Sequence, residues 1–296
     1  MLKRTIYFSQ PYHLSIKLSQ LVCQNKTTGE IKQVPIEDLG FVLLENKEIT
    51  FTQSVISELN DNNVATIFCN NKHLPTGMVL NLDGNDVQNE KFRAQVAATE
   101  PLKKRLWQQT IKAKVLNQAK MLEIKVGEFA DLKHLATKVL SGDTSGIEAQ
   151  AARRYWPKLF GPIFKRERFG EPPNPSLNYG YTILRAAVAR ALVGSGLLPT
   201  LGIQHHNRYN AYCLADDIME PYRPFVDFAV WQQKQIDDQY HVFTTERKMK
   251  LLKVLSRDVI IGKLKRPLMN ALSITTASLA KCFEGKAKKI TYPKFP

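Results

Sequence analysis

The chain has 296 residues, of which 44% are hydrophobic and 23% charged, and its formal net charge at pH 7 is +15. These proportions exclude an intrinsically disordered protein, and the length is one at which a single core tends to divide, so two domains are expected. No stretch approaches the ~18 consecutive apolar residues of a membrane span, and the N-terminus MLKRTIYFSQPYHLSIKLSQL alternates instead of running apolar; a cytoplasmic protein with no membrane association is expected.

In the first part of the chain the pattern is that of a sheet. Tyr12, Leu14, Ile16 and Leu18 alternate with His13, Ser15 and Lys17, the period of a half-buried strand, and NKTTGE reads as a turn before EIKQVPI. Further short strands are expected at GFVLLE, EITFT and ATIFCN, and one helix at TQSVISELNDNN with Thr52 as its cap. The polar stretch LDGNDVQNE marks a boundary, because residues 1–90 carry 7 lysines and arginines against 10 acids, net −3, and the remainder carries 35 against 17, net +18. Beyond it the periods become helical: about 91–126 with a break at Pro101, then 129–141, 145–160, 176–195, 210–233, 244–263 and 267–285, with Gly194 and Gly196 ending the fourth. The expected fold class is α+β. A β-rich, β-sandwich-like domain over 1–85 and a linker over 86–91 precede a larger all-α domain over 92–296, whose Lys-rich end, EGKAKKITYPKFP, reads as a mobile tail.

The concentration of positive charge in the second domain is what a nucleic-acid binder needs, since phosphate neutralisation supplies most of its affinity. Basic runs at PLKKRLWQQTIKAK, ARRYWPKLFGPIFKRERFG and RKMKLLKVLSRD place Arg153, Arg154, Lys165, Arg166, Arg168, Arg247 and Lys248 as candidate DNA contacts, the middle run having aromatic residues interleaved. Cys23, Cys69, Cys213 and Cys282 include no C-x-x-C pair and read as free thiols rather than a zinc site.

Against this background GIQHHNRYNAYCLADDIMEPYRP, Gly202 to Pro224, gathers two histidines and three acids. On a helix Glu220 shares a face with Asp216, Asp217 or both, and such a group is destabilising without a counter-charge. A divalent metal is one such charge; a solvated face or a pair with Arg223 is another. Two adjacent histidines cannot easily point the same way, so one of His205 and His206 is expected to be a ligand and the other structural. Glu148 is a third contributor, or else the acidic member of a Ser145–Glu148 capping box. Arg185 and Arg190 are either phosphate contacts or partners of buried acids.

The motifs IEAQAARRYW, PPNPSLNYGYTILRAAVARALVGSGLLPTLGI and HHNRYNAYCLADDIMEPYRPFVD, with their spacing, resemble the CRISPR adaptation integrase family, the universal CRISPR-associated endonucleases that insert new spacers, and especially its type II branch. The resemblance implies catalytic metal ligands at Glu148, His205 and Glu220, with Asp217 as a supporting acid and His206 as the second-choice ligand. It implies Mg²⁺ or Mn²⁺ and 3′-OH transesterification of prespacer DNA into the CRISPR array, with endonuclease activity on branched DNA. The partners implied are double-stranded DNA at prespacer and leader-repeat, a homodimer built through the β domain, a small companion adaptation protein completing a heterohexamer, and the type II effector nuclease. Competing readings are a DNA-binding scaffold with a structural His/acid cluster and a metal hydrolase of small phosphate esters.

Overall fold

The computed structural model describes residues 3–71, 73–127, 130–236 and 242–296. The chain forms two compact units, Met1–Gly84 and Asn85–Pro296.

In the first unit, β1 (Arg4–Phe8), β5 (Leu39–Leu44), β7 (Ala65–Cys69) and β8 (Pro75–Val79) make one four-stranded sheet in that order, with β1, β5 and β7 parallel and β8 antiparallel. A second sheet has the order β4 (Ile31–Pro35), β3 (Gln20–Asn25), β2 (Tyr12–Lys17), β6 (Thr50–Phe51). β5 reads LGFVLL and is buried along its whole length, as a central parallel strand must be. Phe8, Val42 and Leu44 of the first sheet pack with Leu14 and Leu21 of the second and with Val55 and Leu59 of α1 (Gln53–Asp61) in one core. The β1, β3 and β8 strands extend the set expected from sequence. Leu18, expected to continue the β2 alternation, instead lies in the β2–β3 turn, where it and Ser19 adopt left-handed backbone and its side chain faces solvent.

The second unit begins with α2 (Gln88–Val96), which starts within the expected linker over 86–91 and runs beyond it, and α3 (Glu100–Val126), whose first turn holds Pro101, where its missing N–H is no loss. α4 (Ala130–Thr137), α5 (Ile147–Phe160) and α6 (Asn174–Gly194) follow. α6 is buried on almost every face and closes with Gly196 in left-handed conformation, the Leu197 N–H reaching back to the Leu192 carbonyl. The helix expected over 210–233 is divided. α7 (Cys213–Met219) tightens into a 3-10 turn at Glu220–Tyr222 before α8 (Arg223–Ile236), because Pro221 has no N–H to continue the ladder.

Two expectations for this unit are overturned. The helix expected over 244–263 ends early: α9 (Thr245–Leu252) leads through a 3-10 turn into β9 (Asp258–Ile261) and β10 (Leu264–Pro267), an antiparallel hairpin turning at Gly262. The α+β fold class stands as expected, and the helical unit carries in addition a small three-stranded sheet in the order β10, β9, β11 (Pro293–Lys294). After α10 (Leu268–Phe283), the segment expected to be a mobile tail returns as a strap. β11 pairs with β9, Phe295 stacks on Phe225 of α8 at 4.1 Å with 13° between rings, and Tyr292 shares a hydrogen bond with Thr110 of α3. The lysines of that segment mask a buried set, Ile290 and Phe295. No described helix is long and apolar enough to cross a membrane.

Candidate active site

Three segments of the second unit bring charged side chains to one place: α3, the start of α5, and the loop and turn either side of α7.

Glu148 is the second residue of α5. Of the two readings for Glu148, the Ser145–Glu148 capping box does not form, because Gly146 occupies the cap position in left-handed conformation and the Asp143 carboxylate accepts from the N–H groups of Ile147 (2.9 Å) and Glu148 (3.0 Å). With those donors satisfied by Asp143, the Glu148 side chain is released to face α3. There Lys114 Nζ lies 2.6 Å from Glu148 Oε1 and 2.6 Å from Glu220 Oε2, while Arg223 Nε holds the other Glu220 oxygen at 2.9 Å. Glu220 is 5% exposed, Lys114 12% and Glu148 35%. Burial alone would raise the Glu220 carboxyl, but the Arg223 guanidinium and Lys114 ammonium overcome it and hold it below the usual carboxylate range. Burial likewise works to lower Lys114, and Glu220 and Glu148 together hold it above its ordinary value.

Asp217 is fully buried and is spent on the histidine loop. Its Oδ2 accepts from Ile203 N–H (2.7 Å) and Gln204 N–H (3.0 Å), and its Oδ1 from His205 N–H (3.2 Å) and from His205 Nδ1 (2.6 Å). Gly202 permits this wrap: a Cβ there would lie 2.3 Å from the His205 carbonyl oxygen and 2.8 Å from Asp217 Oδ2. The hydrogen bond to Asp217 raises the His205 imidazole above its ordinary value, against partial burial, and Glu220 is among the acids acting on it. With Nδ1 engaged, Nε2 is the ring nitrogen left to bind, the usual arrangement behind a metal-ligating histidine. The Trp107 ring meets His205 edge-on at 5.9 Å.

The remaining acids have other duties. Asp216 is held by Arg185 through two hydrogen bonds (2.6 and 2.8 Å) and by the Asn210 amide (2.7 Å), so of the two readings for Arg185 the buried-acid partner is the one found. His206, next to His205 in sequence, lines a cleft of about 400 Å³ together with Lys103, Thr200, His205, Arg208 and Asn210.

Behind the site, Asp227 of α8 accepts from Tyr155 OH (2.9 Å) and Tyr181 OH, and the Arg223 guanidinium lies over the Tyr181 ring at 4.7 Å. Burial pushes the Asp227 carboxyl up from 3.8 to about 6, against the pull of the two tyrosines and of Arg223 and Arg166. Between about pH 4 and 6 the folded state therefore keeps a proton that the unfolded state has lost, so this group's contribution declines as pH rises through that window. The full effect is about 3 kcal/mol, at 1.36 kcal/mol per unit. Asp227→Asn, an isostere that cannot ionise, is expected to gain stability relative to wild type by that amount between pH 4 and pH 7. Urea unfolding of both proteins at each pH measures it.

The candidate DNA contacts divide. Arg153, Lys165 and Arg168 are exposed. Arg154 is paired with Asp131, and Arg166 turns inward to Asn174 (3.0 Å), Asn178 (2.7 Å) and the Tyr181 ring. Arg247 and Lys248, expected on a DNA-facing surface, are buried, with Arg247 bonded to the Val242 carbonyl and the Lys248 ammonium over the Phe243 ring, their long apolar stems packed inside. Sequence reasoning missed Lys114, which sits among the lysines of α3 with nothing in its spacing to set it apart.

Among the described residues no three His, Cys, Asp or Glu side chains close on a common metal position. The two carboxylates meet instead at an ammonium, which marks the point where a cation shared by both belongs. Two carboxylates and an imidazole are a donor set suited to a hard or borderline divalent ion.

Comparison with known proteins gives a consistent set. The family model for CRISPR associated protein Cas1 matches residues 6–266. A CRISPR-associated endonuclease Cas1 of Neisseria meningitidis is 34% identical over 297 aligned residues, covering 98% of this chain and 96% of its own. Among solved structures, a casposase bound to integration product aligns with a TM-score of 0.79 at 18% identity, over 98% of this chain and 92% of its own. A Cas6-RT-Cas1–Cas2 complex aligns at 0.71 and 19% identity, over 97% of this chain and 36% of that one.

Proposed function

The chain belongs to the CRISPR-associated Cas1 family, and from that membership we propose that it is a metal-dependent DNA integrase of CRISPR adaptation, joining the 3′-hydroxyl of a captured DNA fragment to the array by transesterification. The observation that carries this reading is the meeting of Glu148 of α5 and Glu220 of the 3-10 turn at one cationic position, with His205, on which Glu220 acts electrostatically, fixed at Nδ1 by Asp217.

An Mg²⁺ or Mn²⁺ ion bound there would polarise the scissile phosphodiester and neutralise charge on the departing oxygen. The chain's own residues set the conditions for it. Asp217 fixes the tautomer and orientation of His205 so that Nε2 is the ligand, and Arg223 holds one oxygen of Glu220 while leaving the other toward Glu148. The cleft beside His205, with Lys103 and Arg208 on its walls, offers positive charge to a phosphate backbone. In the reaction one P–O bond breaks as another forms, so no nucleotide cofactor is consumed; water in place of the 3′-hydroxyl makes the same centre an endonuclease on branched DNA.

The first unit, neutral to acidic in its charge balance, is suited to protein contacts, and we assign it to homodimer formation. A Cas2-type companion bridging two dimers into a heterohexamer is proposed by analogy with the Cas1–Cas2 assembly among the structural relatives, and double-stranded DNA by analogy with the casposase product complex. A type II effector nuclease is the further partner that the type II resemblance suggests.

Joining a labelled 3′-OH duplex to a leader-repeat target, with the companion protein present, tests the reading. Wild type is expected to give ion-dependent product without ATP, and His205→Ala at least about 100-fold less, beyond the range for loss of an outer-shell partner. A wild type that binds the DNA tightly yet joins none of it with either ion returns the protein to the scaffold reading.

A further inference from the structure

We propose that Lys114 is an exchangeable counter-ion of the active site: its ammonium occupies the cation position between Glu148 and Glu220 in the metal-free protein, and a divalent ion must displace it to bind. The inference rests on the metal-dependent reading above and adds to it a residue that sets metal affinity.

The geometry carries the argument. One nitrogen lies 2.6 Å from a carboxylate oxygen on each of two helical segments, so it stands where an ion ligated by both oxygens would have to stand. Ammonium and metal cannot share that point. The charges lead to the same conclusion. Glu148 and Glu220 carry two negative charges, and Lys114 and Arg223 already balance them, so a divalent ion added without any departure would leave an excess of two in a site where Glu220 is 5% exposed. Uncompensated charge in such a place is costly, and the least costly exit is the side chain that holds the metal's own position. Arg223 has no such need to move: it holds the outer Glu220 oxygen and lies over the Tyr181 ring. Lys114, a flexible four-carbon stem ending in a compact charge, can swing clear while its backbone stays in α3.

Two consequences follow. Without metal, Lys114 keeps two like charges together that would otherwise repel, so the ligands wait in place. With metal, part of the binding free energy goes to breaking one buried and one part-exposed ion pair, so the site is weaker and more readily exchanged than its ligand set alone would make it.

The test is Mn²⁺ binding to the full chain without DNA, followed by the electron paramagnetic resonance signal of free Mn²⁺, for wild type, Lys114→Met and Lys114→Gln. Both variants are expected to bind roughly ten-fold more tightly than wild type, equivalent to about 1.4 kcal/mol. Thermal unfolding supplies a second measure: metal-free Lys114→Met should melt below wild type and recover a larger share of its melting temperature when Mn²⁺ is added. Unchanged or weaker Mn²⁺ binding by both variants overturns the role of Lys114 while leaving the metal reading intact. Mn²⁺ binding by no protein in the set, or equal binding when Glu148→Ala is combined with Lys114→Met, overturns the metal reading and the inference together.

Discussion

Glu220→Ala is expected to abolish strand joining and also to destabilise the fold by several kcal/mol, whereas Glu148→Ala is expected to abolish joining at little cost to the fold. Both remove a carboxylate from the cation position, and loss of a ligand should lower the joining rate by at least about 100-fold, more than loss of an outer-shell partner. Their structural settings differ. Glu220 is buried and is the carboxylate that Arg223 pairs with, so its removal strands Arg223 and leaves Lys114 only the part-exposed Glu148, and breaking a buried pair in this way costs about 3–5 kcal/mol. Glu148 is 35% exposed, and after its removal Lys114 still has Glu220. Its loss should cost no more than about 1 kcal/mol, the range of an exposed pair. Guanidinium unfolding and the joining assay, run on both variants, measure the two effects separately. Full joining by Glu148→Ala with Mn²⁺ present would remove the basis of the site.

Removing residues 290–296 is expected to unfold the second unit or leave it without fixed packing. Phe295 is buried and stacked on Phe225, and loss of a single buried Phe side chain costs about 3–5 kcal/mol. The truncation also removes buried Ile290, the acceptor that Thr291 offers to Thr275, and the bond between Tyr292 and Thr110. Together these approach the whole stability of about 5–15 kcal/mol typical of a folded protein. The strap bears on the site as well: the Asn117 amide donates both to the Pro293 carbonyl (3.0 Å) and to the carbonyl of Pro221 (2.7 Å), the residue after Glu220. Phe295→Ala is the milder version. It should retain the fold with a lowered denaturation midpoint, and a truncated protein as resistant to urea as the intact one would show the strap to be dispensable.

How much of this was legible in the sequence varies with the kind of signal. The candidate ligands Glu148, His205 and Glu220 were singled out through long co-occurring motifs, and the helices through their period; the structure brings Glu148 and Glu220 together at one ammonium. Asp217 was placed near the right acids, but its bonds to the backbone of Ile203 and Gln204 depend on a loop shape that no periodicity encodes. Lys114 was invisible because one lysine among several on a long helix looks like a wet face until the partner helices are in place. The β9–β10 hairpin was lost in a helical reading because Leu251, Leu252, Val254 and Leu255 keep helical spacing up to its edge, although Val259 and Ile261 alternate ahead of a glycine. In the strap, composition outvoted pattern: four lysines after Gly285 suggested solvent, while Ile290 and Phe295 did the packing.

The strap also gives the protein a timetable. Gln109 and Thr110 find their partners at Lys288 and Tyr292, 179 and 182 positions later in the chain, so on a ribosome α3 emerges long before the segment that secures it. A product of interrupted translation that stopped before residue 290 would carry every acid of the cluster and lack the strap's contacts to Thr110 and Asn117 of α3. Packing of α3 against residues 290–296 therefore comes late in the order of synthesis, after every acid of the cluster is already in the chain.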